Sequence, residues 1–250
     1  MERALGSIAR MALAVALLAL SGCAIPIFGA RPSSHASPIE RPSALRERWN
    51  DPAARARREQ ERSPEACFAR LQEAGVAFDR VSASEAAGVR MPLRLRGPIG
   101  GVTVVSSDKH AVHAILDCRL ALALLSWSEI LQRAGVERIE HFSMYRPGAR
   151  VAGSGHVSGH AHGLAIDAAR FKLRNGAVVD VLSDWEERDH GPPCPRRNEE
   201  AWPSRLLRGL VCDAVERNLF QIVITPNHDR AHENHVHLER KPDVSWTYVR

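Results

Sequence analysis

One ten-residue stretch constrains this chain more than any other: Ser158-Gly159-His160-Ala161-His162-Gly163-Leu164-Ala165-Ile166-Asp167. Its two glycines disfavour a helix and permit a tight turn. Leu164-Ala165-Ile166 reads as the start of a buried strand, with Asp167 a carboxylate at the end of the apolar triplet. A buried carboxylate without a partner is costly or shifts its pKa, and beside imidazoles the economical partner is a metal ion. A second stretch, His232-Glu233-Asn234-His235-Val236-His237, reads as the entry to the last strand. Residues two apart in a strand share a face. His235 and His237 therefore point at one site, with Val236 and Leu238 turned into the core. Seven of the twelve histidines fall in or just before these two stretches: His156, His160 and His162, then His228, His232, His235 and His237. Catalytic zinc is commonly held by three protein ligands with a fourth place left for water. His160, Asp167 and His237 meet that pattern, whereas His156, His162 and His228 read as a polar rim.

The N-terminus reads as a targeting segment. Met1 to Arg10 carries Arg3 and Arg10, and Met11 to Leu20 is apolar but too short to span a bilayer. Leu20-Ser21-Gly22-Cys23 resembles the bacterial lipobox, whose cysteine is lipidated after cleavage. We therefore expect a signal peptide over 1–22, a lipidated Cys23 with a flexible tether over 23–62, and a folded domain over 63–250. The tether is rich in Pro, Ser, Ala and Arg and has too little apolar surface to offset its ordering entropy. Two or more acyl chains anchor stably, since each buried CH₂ contributes about 0.8 kcal/mol. Ala24 is not an inner-membrane retention signal, so the expected location is the periplasmic face of an outer membrane, or the cell envelope generally.

Four cysteines remain after Cys23: Cys67, Cys118, Cys194 and Cys212. An even count in an oxidising compartment reads as two disulfides. Three pairings are possible. Cys67–Cys118 with Cys194–Cys212 is favoured, because the second pair closes a local loop. No pair has the CxxC-like spacing of a cysteine zinc site. The formal net charge of +5 is modest and scattered, and no basic run is interleaved with aromatics, which argues against nucleic acid.

Along the folded part, Ser63-Pro64 opens a helix that stops at Gly75. Val89–Leu95 and Val102–Val105 flank a Gly-Pro turn and read as a β-hairpin, with Pro92 pointing to an edge strand. Asp108 is expected to open the longest helix, about Lys109 to Ala134, on the helical spacing of Val112, Ile115, Leu116, Leu120, Leu124, Trp127 and Leu131. Strands follow over Val136–Tyr145, Leu164–Leu173, Ala177–Leu182, Phe220–Ile224 and His235–Glu239, with a helix from about Pro203 to Arg217. Helices and strands mix without βαβ regularity, so the class is α+β. The expected architecture is a small, mostly antiparallel sheet packed against helices.

Ser-x-His-x-x-Gly-x-Ala-x-Asp, met by Ser158, His160, Gly163, Ala165 and Asp167, resembles the zinc motif of D-Ala-D-Ala carboxypeptidases. His235-x-His237 is similar to the second motif of their superfamily, which includes lysostaphin-type endopeptidases and hedgehog domains. The closer resemblance is to the bacterial extensin-like C-terminal domain family, over most of residues 65–240. It implies zinc on His160, Asp167 and His237, and a hedgehog- and D-Ala-D-Ala-peptidase-like site. It also implies His235 as acid/base or transition-state stabiliser, Arg146 facing a substrate carboxylate or developing oxyanion, and His232 and Ser158 as supporting polar groups. Asn234 stands where peptidase relatives usually carry an acid, which leaves His235 as the base. Two cysteines expected in the family are absent, at Ala87 and Tyr145, which suits the loss of one disulfide. The function implied is a membrane-anchored zinc peptidase acting on peptidoglycan stem peptide. The alternative is a catalytically silent, zinc-bearing lipoprotein that binds cell wall or a protein.

Overall fold

The computed structural model describes residues 61–108, 110–186, 193–194, 199–241 and 243–250, with Pro52 and Arg58 before them. The signal peptide, Cys23 and nearly all of the tether lie outside the described residues. The tether's last two residues are tied down. Glu61 pairs with Arg240 at 3.0 Å and Arg70 at 3.3 Å, and Arg62 pairs with Asp243 at 3.0 Å.

The chain alternates strands β1 Phe78–Arg80, β2 Pro92–Leu95, β3 Thr103–Ser106, β4 Ile115–Asp117, β5 Val136–His141, β6 Ala165–Leu173, β7 Val178–Asp180, β8 Ile222–Ile224, β9 Val236–Glu239 and β10 Tyr248–Val249 with four helices. Among the described residues these helices are α1 Pro64–Glu73, α2 Cys118–Arg133, α3 Val181–Asp184 and α4 Trp202–Glu216. No helix among the described residues is long and apolar enough to cross a membrane. The class is α+β, as expected, but the strands form two sheets. One has three strands in the order β1-β2-β4, the other seven in the order β10-β8-β9-β6-β5-β3 with β7 also on β6. Six pairings are antiparallel; β3 on β5 and β10 on β8 are parallel, so the larger sheet is mixed.

β6 organises the larger sheet and is buried on both faces where it starts. On one face Ile166 and Ala168, with Val236 and Leu238 of β9, join α2 and α4 in the main core. Trp127 of α2 sits at the centre. Its indole N–H donates to the Leu210 carbonyl at 3.0 Å, and its ring meets Phe171 and Phe220 edge-on. Burying such a ring with its N–H satisfied is a large favourable term. By strand alternation Asp167 and His237 fall on the opposite face.

Two expectations are overturned. β2 and β3 do not form a hairpin: β2 lies between β1 and β4, while β3 pairs with β5. Only the turn is real, with Ile99 bridging Val102. Both residues are buried against α2, and this burial draws the arms into different sheets. Pro92 is thus in a central strand. It is tolerated as the strand's first residue, where its missing N–H costs little. The long helix starts at Cys118, not near Lys109. Ala111–Ala114 is a 3₁₀ turn and Ile115–Asp117 is β4. Ile115 and Leu116 are nevertheless buried in β4, and Val112 is half-buried in the 3₁₀ turn.

Asp117 makes that start sharp. Its carboxylate accepts from the Arg119 backbone N–H at 3.0 Å, from the Met91 N–H at 3.1 Å, and from the Arg119 guanidinium at 2.8 and 3.0 Å. Both side chains are buried. Asp117→Ala is expected to cost about 3–5 kcal/mol, since it removes a cap and leaves a buried guanidinium unpaired. A shift in the denaturation midpoint of the variant measures it.

The disulfides are Cys67–Cys118, joining α1 to α2, and Cys194–Cys212, joining the segment after α3 to α4. The favoured pairing is therefore the one found. Arg208 of α4, fully buried, pairs with Glu200 at 2.7 Å and stacks on Trp185. Trp202 is half exposed.

Candidate metal centre

Asp167 and His237 are direct cross-strand partners in the β6–β9 ladder. His160 reaches them from the 3₁₀ turn Gly159–His162, which Ser158 caps by accepting from the His160 N–H at 3.3 Å. The turn ends at Gly163, whose φ is +62°. A Cβ there would strike the backbone of Leu116 and Asp117, so only glycine lets the turn close onto β4.

The three side chains bring one atom each to a common point. His160 Nε2 lies 2.9 Å from Asp167 Oδ1, His237 Nδ1 lies 3.0 Å from the same oxygen, and the two nitrogens are 3.1 Å apart. These three residues are the group able to hold a metal ion among the described residues. A tetrahedral zinc with bonds of about 2.0–2.2 Å needs ligand atoms about 3.3–3.6 Å apart, a few tenths of an ångström wider than these sides. Two imidazole nitrogens and a carboxylate oxygen are also a known catalytic zinc donor set.

The surrounding groups point the ligand atoms inward. His160 Nδ1 faces the Met144 carbonyl at 3.3 Å, which turns Nε2 toward the centre. His237 Nε2–H donates to Glu239 Oε2 at 3.3 Å, leaving Nδ1 for the centre. Asp167 Oδ2 accepts from Ser143 Oγ at 3.2 Å and faces Arg146 at 3.7 Å, so Oδ1 is free for the centre. Such partners fix tautomer and orientation in metal sites. The donor set and its second layer fit a zinc ion.

Without metal the cluster carries protons instead. Burial acts to lower the His237 pKa, but hydrogen bonds to Asp167 and Glu239 outweigh it and raise the group to about 9. Burial acts to raise Asp167, yet bonds from His160 and His237 hold it well below the carboxylate range. Glu239 is lowered despite its burial, chiefly by the His237 bond. Burial keeps His160 low.

Burial also holds His141 and His235 down to about 4. Both stay neutral in the folded chain but gain a proton on unfolding below their ordinary 6.5. The unfolded state then binds more protons, so stability rises with pH across that window. A melting temperature that climbs between pH 4 and 6.5 is the expected result for the metal-free chain.

The structure gathers the predicted residues. His235 Nε2 is 3.4 Å from Asp167 Oδ1. The His232 ring lies 5.2 Å from that of His235 and 6.2 Å from that of His237. Arg146 is half exposed at the foot of a loop whose Arg150 bridges Val157, and its backbone N–H donates to the His160 carbonyl at 3.0 Å. His156 and His162 are exposed and His228 lies on the periphery beside Tyr248, in keeping with a rim.

The family model for the extensin-like protein C-terminus matches residues 65–250. The chain belongs to this family. No curated protein and no solved structure matches the chain. The matched part of this extensin-like chain contains the three-residue cluster, Arg146, Ser158, His232, His235 and both disulfides. The two positions at which the resemblance expected cysteines are neighbours: the Tyr145 hydroxyl donates to the Ala87 carbonyl at 2.8 Å.

Reading the sequence missed Glu239 and Ser143. Glu239 had a signal, since it follows His235 and His237 at the same two-residue spacing. Ser143 had none. Gly159 leaves room for Glu239, because a Cβ at Gly159 would fall on the Glu239 carboxyl. Gly159→Ala is expected to displace that carboxyl, and Glu239→Ala to remove it. Each should weaken zinc binding by roughly 10–100-fold in a competition titration.

Proposed function

We propose that this protein is a membrane-anchored, zinc-dependent peptidoglycan peptidase, hydrolysing an amide bond in stem peptides as a carboxypeptidase or endopeptidase. The observation that carries the reading is the convergence of His160, Asp167 and His237 from three separate segments, with Arg146 half exposed beside them. The two motifs add to it by their resemblance to the zinc D-Ala-D-Ala carboxypeptidase, lysostaphin and hedgehog superfamily. Anchoring rests on the lipobox-like Cys23, which places the domain in the cell envelope, at the periplasmic face of an outer membrane where one exists.

His160 Nε2, Asp167 Oδ1 and His237 Nδ1 would hold the ion. Bound zinc supplies an acidic water, its pKa brought from roughly 15.7 to about 7, and a Lewis acid for the scissile carbonyl. His235, kept neutral by burial, offers a proton acceptor beside Asp167. A positioned base is worth roughly 10²–10⁴-fold. Arg146 presents a guanidinium to the substrate carboxylate or to the oxygen that gains charge. Ser158 holds the His160 turn, and His232 packs beside His235.

The test is incubation of the purified chain with stem peptides and cross-linked peptidoglycan fragments, read by mass spectrometry. Released D-Ala or cut cross-links, lost with EDTA and restored by zinc, is the expected result. No product on any stem peptide overturns the reading. Retention on peptidoglycan without turnover, unchanged in His235→Ala, would favour the silent zinc-bearing lipoprotein instead.

A further inference from the structure

The segment from Arg146 to His160 leaves the cluster and returns to it as a narrow two-stranded ribbon. Its rungs are backbone hydrogen bonds. The Arg146 N–H donates to the His160 carbonyl at 3.0 Å, the Ser158 N–H to the Ala149 carbonyl at 3.0 Å, and the Val151 N–H to the His156 carbonyl at 2.7 Å. Between the last two rungs Arg150 and Val157 face each other as an antiparallel bridge. With the rungs on either side, they are a non-hydrogen-bonded pair, so their own N–H and C=O groups point out of the ribbon, one set along each edge. Among the described residues, none of those backbone groups makes a hydrogen bond. Arg150 is exposed and Val157 is 48% exposed.

An unpaired strand edge is a template for a further strand. The two edges of the ribbon differ in where they lead. On the Arg150 side the chain turns at Pro147-Gly148: the Ala149 N–H donates back to the Arg146 carbonyl at 3.1 Å, and Gly148 has a φ of +68°. No straight edge joins Arg150 to the cluster. On the Val157 side the chain passes directly into Ser158, whose hydroxyl caps the His160 turn. His160 is three residues on, at most about 11 Å of extended chain from Val157. The ribbon is also braced, because the Arg150 guanidinium donates to the Gly155 carbonyl at 2.7 Å near its tip. An edge held in place before a ligand arrives costs less ordering when the ligand binds.

We infer that the outer edge at Val157 binds substrate: it takes a short, extended peptide by backbone pairing, the Val157 N–H donating to a peptide carbonyl and the Val157 carbonyl accepting from a peptide N–H. This is strand addition, in which main-chain bonds hold the peptide whatever its side chains. Arg146 sets the direction, since its guanidinium is half exposed at the foot of the ribbon, 3.7 Å from Asp167. A peptide with its carboxylate at that foot runs from the tip of the ribbon inward, parallel to residues 156–158, and carries its last amide bonds toward the cluster. In parallel pairing the two bonds of Val157 go to the peptide residues on either side of its opposite number, so a single peptide N–H reaches Val157. The inference deepens the peptidase reading and rests on it for the identity of the peptide.

The probe is a synthetic stem pentapeptide ending in D-Ala-D-Ala, added to the ¹⁵N-labelled full chain in its metal-free form. Amide hydrogen exchange at Val157 should be fast in the free chain and slow by about tenfold or more when the peptide saturates it. Methylating the peptide amides one at a time should find one position that weakens binding by about 3–10-fold, with its neighbours indifferent. Val157→Pro deletes the donor and should weaken binding by a similar factor, whereas Val157→Ala keeps it and should stay near wild type. An unprotected Val157 amide in the peptide complex overturns the proposal, as does binding that tolerates methylation everywhere, or no binding to the metal-free and the zinc-loaded chain alike. Protection that grows with chain concentration in the absence of peptide assigns the edge to a second copy and also overturns it. If Val157→Pro does not fold, the methylated peptides on the wild-type chain decide. A protected Val157 on a zinc-loaded chain that cleaves nothing refutes the peptidase reading alone. Cleavage with Val157 unprotected refutes the edge alone.

Discussion

Asp167→Ala is expected to abolish stoichiometric zinc binding and, with it, any amide hydrolysis, while the chain stays folded. Asp167 faces five polar side chains of the site. Its Oδ1 faces His160, His237 and His235, and its Oδ2 faces Ser143 and Arg146. Removing it leaves two imidazoles without the anion that balances a divalent cation. The loss should exceed the roughly 10–100-fold typical of removing a supporting group. The fold should tolerate the change, because the apolar residues that flank Asp167 bury on the other face of β6. His237 keeps Glu239, and Arg146 is half in solvent. Metal analysis of the purified variant beside the wild type, with circular dichroism to establish folding, checks it. A folded Asp167→Ala chain that retains about one zinc per molecule would show that these residues are not the ligands.

Zinc affinity should climb steeply with pH and level off near pH 9. His160 and Asp167 are unprotonated at neutral pH because both are lowered, so neither must shed a proton. His237 must. Its group is raised to about 9 by Asp167 and Glu239, and the metal takes the place of the Nδ1 proton. One proton released per ion means about a tenfold gain in apparent affinity per pH unit below that value. Calorimetric titration in buffers of different ionisation enthalpy gives the proton count directly. Stability of the metal-free chain moves the other way. His237 is raised above its ordinary 6.5, so its contribution is full below 6.5 and is lost as pH rises through about 9. Glu239→Gln removes one of the two anions that raise His237, and should move both breakpoints to lower pH. A pH-independent affinity between 6.5 and 9 would mean that His237 is not a ligand.

The candidate site was legible to an unusual degree because strand alternation is rigid. Once His237 and Asp167 were read as strand residues, each had to face away from the apolar neighbours that the core claims, and the ladder then set them side by side. The paired cysteines were legible for a related reason, since the Cys194–Cys212 loop is short. Misreadings arose where a local pattern allowed two structures. Val112, Ile115 and Leu116 suit a helix, but Asp117 caps α2 so firmly that the helix begins after them. The Gly-Pro turn at 97–101 suits a hairpin, but Ile99 and Val102 bury against α2 and the arms part.

The amino-acid order alone determined which side chains are available to bind a divalent ion and which face of each strand they occupy, because a two-residue period follows from covalent geometry. It likewise determined the α+β class and favoured, among three possible cysteine pairings, the one found. Tertiary packing decided the rest. Glu239 sits behind His237 because Gly159 leaves the space, and Ser143 and Arg146 turn Asp167 toward the cluster. Those are contacts of side-chain direction between segments, which no spacing along a chain encodes.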